Sequence, residues 1–242
     1  MKCIISCEHA SNRVPPRFVH VFEGREKILS SHQAYDAGAA GVARRLGRHC
    51  SSSVHLGSIS RLLIDLNRSL FNRKSLYTSY SRKLPQDERQ LLLHKYYQPF
   101  REKVTEEIGR SISRGKPVLH FSLHSFSPVK SGKVRKADIG LLYDPARRTE
   151  KHICRFLAGL LKEKAVSLRV RRNYPYLGKT DGFTAFLRGK YPGKMYAGIE
   201  IEFNQALLSS GKENKRKVED ILAEGIRTIL KYHEFSQLEK AL

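Results

Sequence analysis

Five ionisable side chains of this sequence stand where a hydrolytic metal centre could be built: His9, Asp36, His124, Glu200 and Glu202. Two imidazoles and a carboxylate can hold one Zn²⁺ per chain tetrahedrally and leave a fourth position for water, whose proton a further carboxylate can take. Spacing alone leaves a plainer reading open, because the chain carries 10 histidines and one beside a strand is more often a hydrogen-bonded core residue. A second group lies in SRLLIDLNR (60–68), where Asp65, Asn67 and Arg68 crowd the end of an apolar run. The planar fork of Arg68, with the Asn67 amide beside it, suits a carboxylate; the alternative is an Arg68–Asp65 pair that closes a strand end. A third segment, NYPYLG (173–178) followed by Thr180, Asp181 and Gly182, is turn-rich and reads as an ordinary loop or as the lip of a pocket. No GxSxG elbow, P-loop or GxGxxG occurs, so serine-hydrolase and nucleotide chemistry lack their motifs.

These residues need a scaffold, and the hydrophobic pattern predicts one. CIISC (3–7), RLLID (61–65), PVLHFSL (117–123), DIGLLY (138–143), 166–170 and MYAGIEIEF (195–203) read as strands. Helices are predicted over 36–48, with Asp36 opening the first, over 86–114, 149–163 and about 214–232. Pro99 should kink the second of these, since it removes a donor and crowds the carbonyl of Lys95. Strands alternating with helices imply an α/β domain with a mixed, mostly parallel sheet covered on both faces. In such sheets the chemistry gathers at the carboxyl ends of the strands, and His9 and His124 follow two of them.

With 242 residues, 40% hydrophobic and 28% charged, the chain can bury a large core, and one domain over 1–242 is the expectation. Disordered, collagenous and disulfide-stapled classes are excluded by composition. The apolar run at the start is too short for a signal peptide and no stretch approaches a membrane span. Four scattered cysteines read as reduced thiols in a cytoplasmic protein. The net charge of +22 would attract polyanions, and Tyr interleaved with Arg and Lys in 75–83 and 169–179 makes a nucleic-acid-binding protein the rival from another class. No helix-turn-helix, RNP, KH or zinc-finger pattern supports that rival.

Taken in order, SCEHASNRVP (6–15), HQAYDAGA (32–39), SRLLIDLNRS (60–69), LHSFSP (123–128), DIGLLYDP (138–145), NYPYLGKTDGFT (173–184) and GIEIEFNQ (198–205) resemble the N-formylglutamate amidohydrolase family over most of the chain. The resemblance implies a three-layer α/β/α fold like that of zinc carboxypeptidases and aspartoacylases. It implies hydrolysis of a linear amide in a small anionic substrate, N-formyl-L-glutamate or a related N-acyl or γ-glutamyl compound. His9 and His124 match metal-ligand histidines, Asn67 and Arg68 the pair that grips a substrate carboxylate, and Glu200 the carboxylate that activates water, with Glu202 as its rival. The related enzymes carry Glu three residues after the first His, where this chain has Asn12, a poor zinc ligand. Asp36 is the substitute this reading assigns, with Glu8 as the alternative. Arg61 would assist Arg68, and Asn173 and Tyr176 would donate from the pocket wall.

Overall fold

Alternation within three strands decides the architecture. The computed structural model describes residues 1–241. In chain order it comprises β1 (Lys2–Cys7), α1 (Ala39–His49), β2 (Ser53–Leu56), α2 (Arg73–Leu76), α3 (Gln86–Leu92), α4 (Gln98–Ser113), β3 (Val118–Phe126), β4 (Val129–Lys130), β5 (Lys133–Val134), β6 (Ile139–Leu142), α5 (Arg148–Lys164), β7 (Val170–Arg172), α6 (Phe183–Lys190), β8 (Tyr196–Asn204), α7 (Gln205–Ser209), α8 (Lys212–Leu230) and α9 (Phe235–Ala241). Six strands form one sheet in the order β2-β1-β3-β8-β6-β7. The first four are mutually parallel, β6 runs antiparallel to β8, and β7 is parallel to β6. The sheet is therefore mixed and mostly parallel, with helices on both faces.

Because side chains alternate across a strand, every second residue of β1, β3 and β8 faces one layer. Ile5, Cys7, Leu119, Phe121, Leu123, Ile199, Ile201 and Phe203 are apolar and pack with Val42, Leu46, Leu157, Leu222, Ile226 and Leu238 from the α1, α5, α8 and α9 side. Burying a ring such as Phe121 contributes roughly 2–3 kcal/mol. The opposite face is apolar only at its start, where Ile4, Val118 and Tyr196 meet Val104, Ile108, Phe183 and Leu187. Along the strands it then turns polar: Ser6 in β1, His120, Ser122 and His124 in β3, Glu200 and Glu202 in β8, all buried. A third cluster packs Phe18, Phe22, Leu62, Leu63, Ile64, Leu76 and Tyr97 beside this polar end.

Several expectations change. RLLID is not a strand: Leu63 N bonds Ser60 O in a turn, and its apolar residues serve the third cluster, so burial without a ladder explains the run. Asp36 does not open α1, which begins at Ala39 after Gly38 at φ +84°; its own N–H donates to His9 O at 2.9 Å. Pro99 sits in the first turn of α4, where its missing donor is harmless. A π-helical turn at Leu93–Tyr97 joins α3 to α4 instead of a simple kink. The strand predicted over 166–170 begins only at Val170. The short β2 and the helix α6 are additions to the predicted elements. All four cysteines are buried and free, and among the described residues no helix is long and apolar enough to cross a membrane.

Candidate active site

The polar half of that sheet face converges on Asp36. Its Oδ2 lies 2.8 Å from His124 Nδ1 and 3.3 Å from His9 Nδ1. One ligand atom from each of His9, Asp36 and His124 falls within 4.8 Å of the others, so the buried cluster could hold a metal ion. What fits it for that task is behind the rings. His9 Nε2 donates to Asp65 Oδ1 at 2.7 Å, and His124 Nε2 stands 3.1 Å from Glu8 Oε2. A carboxylate on the far nitrogen fixes tautomer and ring orientation and raises ligand basicity, as outer partners of metal-binding histidines do. Two nitrogens and a carboxylate oxygen are a donor set that Zn²⁺ accepts.

Charge in this cluster is balanced by pairing. Burial works against the Glu8 carboxylate, yet His124, Ser122 and Ser6 hold its pKa down to about 2. Asp36 and Asp65 are also held low against burial, by His9 and His124 and by His9 and Arg61 respectively. Burial opposes a charge on His124 too, but Asp36 and Glu8 raise its pKa well above the ordinary imidazole value. His120 is the contrast. Bonded to Ser6 Oγ and Tyr196 Oη at 2.8 Å each and pulled down to about 4, chiefly by burial, it is a neutral core histidine.

The cluster floors a cleft of ≈ 230 Å³ lined also by Arg61, Asn67, Arg68, Tyr176, Thr180, Asp181, Glu200 and Glu202. Glu200 accepts from Thr184 Oγ1 at 2.5 Å, which leaves its other oxygen for the cleft. Glu202 Oε2 is buried without a partner among the described residues. Its pKa is pushed up to about 7, first by burial and then by Asp36 and Glu200, although His124 and Arg61 oppose the rise. Arg61 Nη1 lies 3.2 Å from Asp36 Oδ1 and 3.3 Å from His9 Nδ1, a cation at the mouth of the cluster.

Asn67 is gripped on three sides: its N–H donates to Asp65 Oδ1 at 2.9 Å, its Oδ1 accepts from Phe183 N at 2.6 Å, and its Nδ2 is 3.5 Å from His124 Nε2. Arg68 Nη1 donates to Asp181 O. Buried Arg101 ties this loop to α6: it donates to Leu66 O at 3.1 Å and stacks on Phe183 and Phe186, 4.3 and 4.6 Å from their centroids.

The structure thus brings together His9, Asp36, His124, Arg61, Asn67, Arg68, Tyr176, Glu200 and Glu202. Two expectations shift. Asn173 does not line the cleft; its Oδ1 accepts from Tyr143 N and Gly178 N at 3.0 and 3.1 Å and braces the 173–178 loop. Gly178 is held so close there that a Cβ would stand 2.2 Å from Tyr143 N. Glu8 lies behind His124, both oxygens taken by Ser6, Ser122 and His124. Sequence reasoning missed Glu8 and Asp65 as histidine partners, and Thr184. The alternation His120, Ser122, His124 along one strand face was the available signal for a buried polar layer.

Residues 1–209 match the family profile described as N-formylglutamate amidohydrolase. The chain belongs to this family. A solved gene product from Agrobacterium tumefaciens is 30% identical with a TM-score of 0.80, the match covering 95% of this chain and 90% of that one. The N-formylglutamate amidohydrolase from Ralstonia eutropha JMP134 shares the fold at 19% identity and a TM-score of 0.72, over 99% of this chain and 94% of that one. No match is found among curated proteins. Membership of this family supports amidohydrolase activity, to which a small amide substrate is suited.

Proposed function

We propose that the protein is a zinc-dependent amidohydrolase that cleaves the amide of N-formyl-L-glutamate or a related N-acyl or γ-glutamyl compound. The observation that carries this reading is the pair of imidazoles, each with one nitrogen at Asp36 and the other backed by a buried carboxylate. His9, Asp36 and His124 would hold one ion per chain. Bound there, zinc would supply Lewis acidity to the scissile carbonyl and lower the pKa of a water. Asp65 and Glu8 keep the two rings in register, and Arg61 holds the outer oxygen of Asp36 while competing for the His9 nitrogen.

Glu200, oriented by the Thr184 hydroxyl, accepts the proton of the attacking water and delivers it to the leaving amine. Glu202, on the same strand face, carries its proton into the neutral range and can share this duty. Arg68 and Asn67 bind the substrate carboxylate and so fix the amide over the cluster; such positioning is worth several kcal/mol of barrier. Tyr176 lines the path by which the substrate enters. Four buried free thiols suit a reducing compartment such as the cytoplasm.

The test is elemental analysis and N-formylglutamate hydrolysis on the protein purified without chelator, beside His124→Ala. About one zinc per chain with hydrolysis, both lost in the variant while its circular dichroism is kept, is the expected outcome. A His124→Ala protein that retains a full equivalent of metal would overturn the ligand assignment.

A further inference from the structure

Beyond the catalytic cleft the same mouth opens into a second chamber of ≈ 390 Å³, which shares Arg61, Arg68, Lys130 and Tyr176 with the first. An acyl amino acid is small, and the inner cleft of ≈ 230 Å³ already holds the proposed ligands and clamp. The outer chamber alone falls in the size range of about 300–1,000 Å³ typical of pockets for drug-sized ligands.

Its walls are cationic in a particular way. The hairpin β4–β5 turns at Ser131 and Gly132, at φ +50° and +74°, and is closed at its neck by Arg135 N–H to Pro128 O at 2.8 Å. Lys130 and Arg135 from this hairpin flank Tyr176: Lys130 Nζ is 5.5 Å and Arg135 Cζ 5.3 Å from its ring centroid, and Arg135 Nη2 donates to its hydroxyl at 3.2 Å. A π face steadies a cation without neutralising it. Among the described residues neither cation has a carboxylate within 4.0 Å, and both stand beside one aromatic ring in the wall of a cavity. The two acids of the chamber, Asp36 and Asp65, are already engaged by His9, His124 and Arg61.

We propose that this chamber is a subsite for a second acidic residue, so that the preferred substrate is an acidic peptide whose distal carboxylate sits between Lys130 and Arg135. The inference rests on the amidohydrolase reading above and extends its substrate class from an acyl amino acid to an acidic chain. Arg135 offers a planar fork to that carboxylate and Lys130 a mobile point charge.

Calorimetric titration of the full chain with triglutamate and with glutamate, at physiological ionic strength, tests it. Triglutamate should bind about tenfold more tightly, the worth of one charge-assisted contact. Lys130→Ala and Arg135→Ala should each erase most of that difference. Lys217→Ala removes the same charge from exposed α8, on the other face of the sheet, and should retain it. Equal affinity for the two ligands overturns the proposal. So does an equal loss in Lys217→Ala, which would mark general attraction of polyanions to a +22 chain. N-formylglutamate hydrolysis measured on the same preparation separates the two readings. Its absence with the triglutamate preference intact removes the function and leaves the subsite; its presence without the preference does the reverse.

Discussion

Replacing Asp65 by Asn should weaken metal binding while leaving the protein folded. Asp65 contributes no ligand atom to the cluster; it accepts the Nε2 proton of His9 at 2.7 Å, with both groups buried. Asparagine preserves the shape, and its oxygen can still accept from Asn67 N, which lies 2.9 Å from the present carboxylate oxygen. What is lost is the negative charge that makes His9 a better donor and holds its tautomer. Partners of this kind are worth about 10–100-fold in metal affinity, or roughly 1.4–2.7 kcal/mol. The affinity is read by competition with a chromophoric chelator, with circular dichroism as the check on folding. His9→Ala, which removes a proposed ligand outright, should lose more than Asp65→Asn. A folded Asp65→Asn protein with wild-type affinity would refute the reasoning and reduce Asp65 to an ordinary buried ion-pair partner. A wild-type protein that takes up no metal would refute the cluster itself.

Five further outcomes follow from the structure. Glu200→Gln should lower kcat by about 10²–10⁴ with metal content unchanged, and Glu202→Gln by less; the reverse ranking would move the proton-transfer role to Glu202. Arg68→Ala should lower kcat/KM by roughly 10–100-fold, and Arg68→Lys should not restore it, because a point charge does not replace the fork; full rescue by Lys would argue against a carboxylate clamp. In the metal-free protein, the raised pKa of His124 means that metal uptake must displace a proton, so affinity should rise from about pH 6 to about pH 8. The lowered Glu8, Asp36 and Asp65 contribute stability that is fully present above their ordinary values near 4, begins to fall as pH drops below that, and is lost for Glu8 as pH passes about 2 and for the two aspartates lower still. Urea midpoints that stay flat on acidification would contradict that sign. Finally, Arg188 is buried with Nε 3.0 Å from Glu150 Oε1 and donates to Gly178 O and Gly198 O at 2.6 and 2.7 Å; Arg188→Ala should cost about 3–5 kcal/mol in urea unfolding by stranding the Glu150 charge.

The strands that matter were legible because their alternation is strong. CIISC, PVLHFSL and MYAGIEIEF each appear within about three residues of their predicted bounds, since one face of each is apolar and a one-residue register slip would turn it into the buried polar layer. RLLID misled because burial on all sides produces the same apolar run in a loop as in a central strand, and only the surrounding cluster of Phe18, Phe22 and Tyr97 distinguishes them. Asp36 was found by residue type but misplaced by element, because it is held by a backbone bond to His9 that no local pattern encodes. The partners Glu8 and Asp65 were present in the motifs, yet their roles depend on distances between β1, β3 and a turn 56 residues away from His9. This division has a physical basis. A candidate metal ligand must be of a particular residue type, and two of the three proposed here, His9 and His124, stand at or near a strand end, which a sequence displays. The carboxylate that orients it need only arrive within hydrogen-bond distance from somewhere in the fold, so long-range packing supplies it. The histidines could therefore be nominated one by one, whereas the paired carboxylates that back them became visible only in the folded chain.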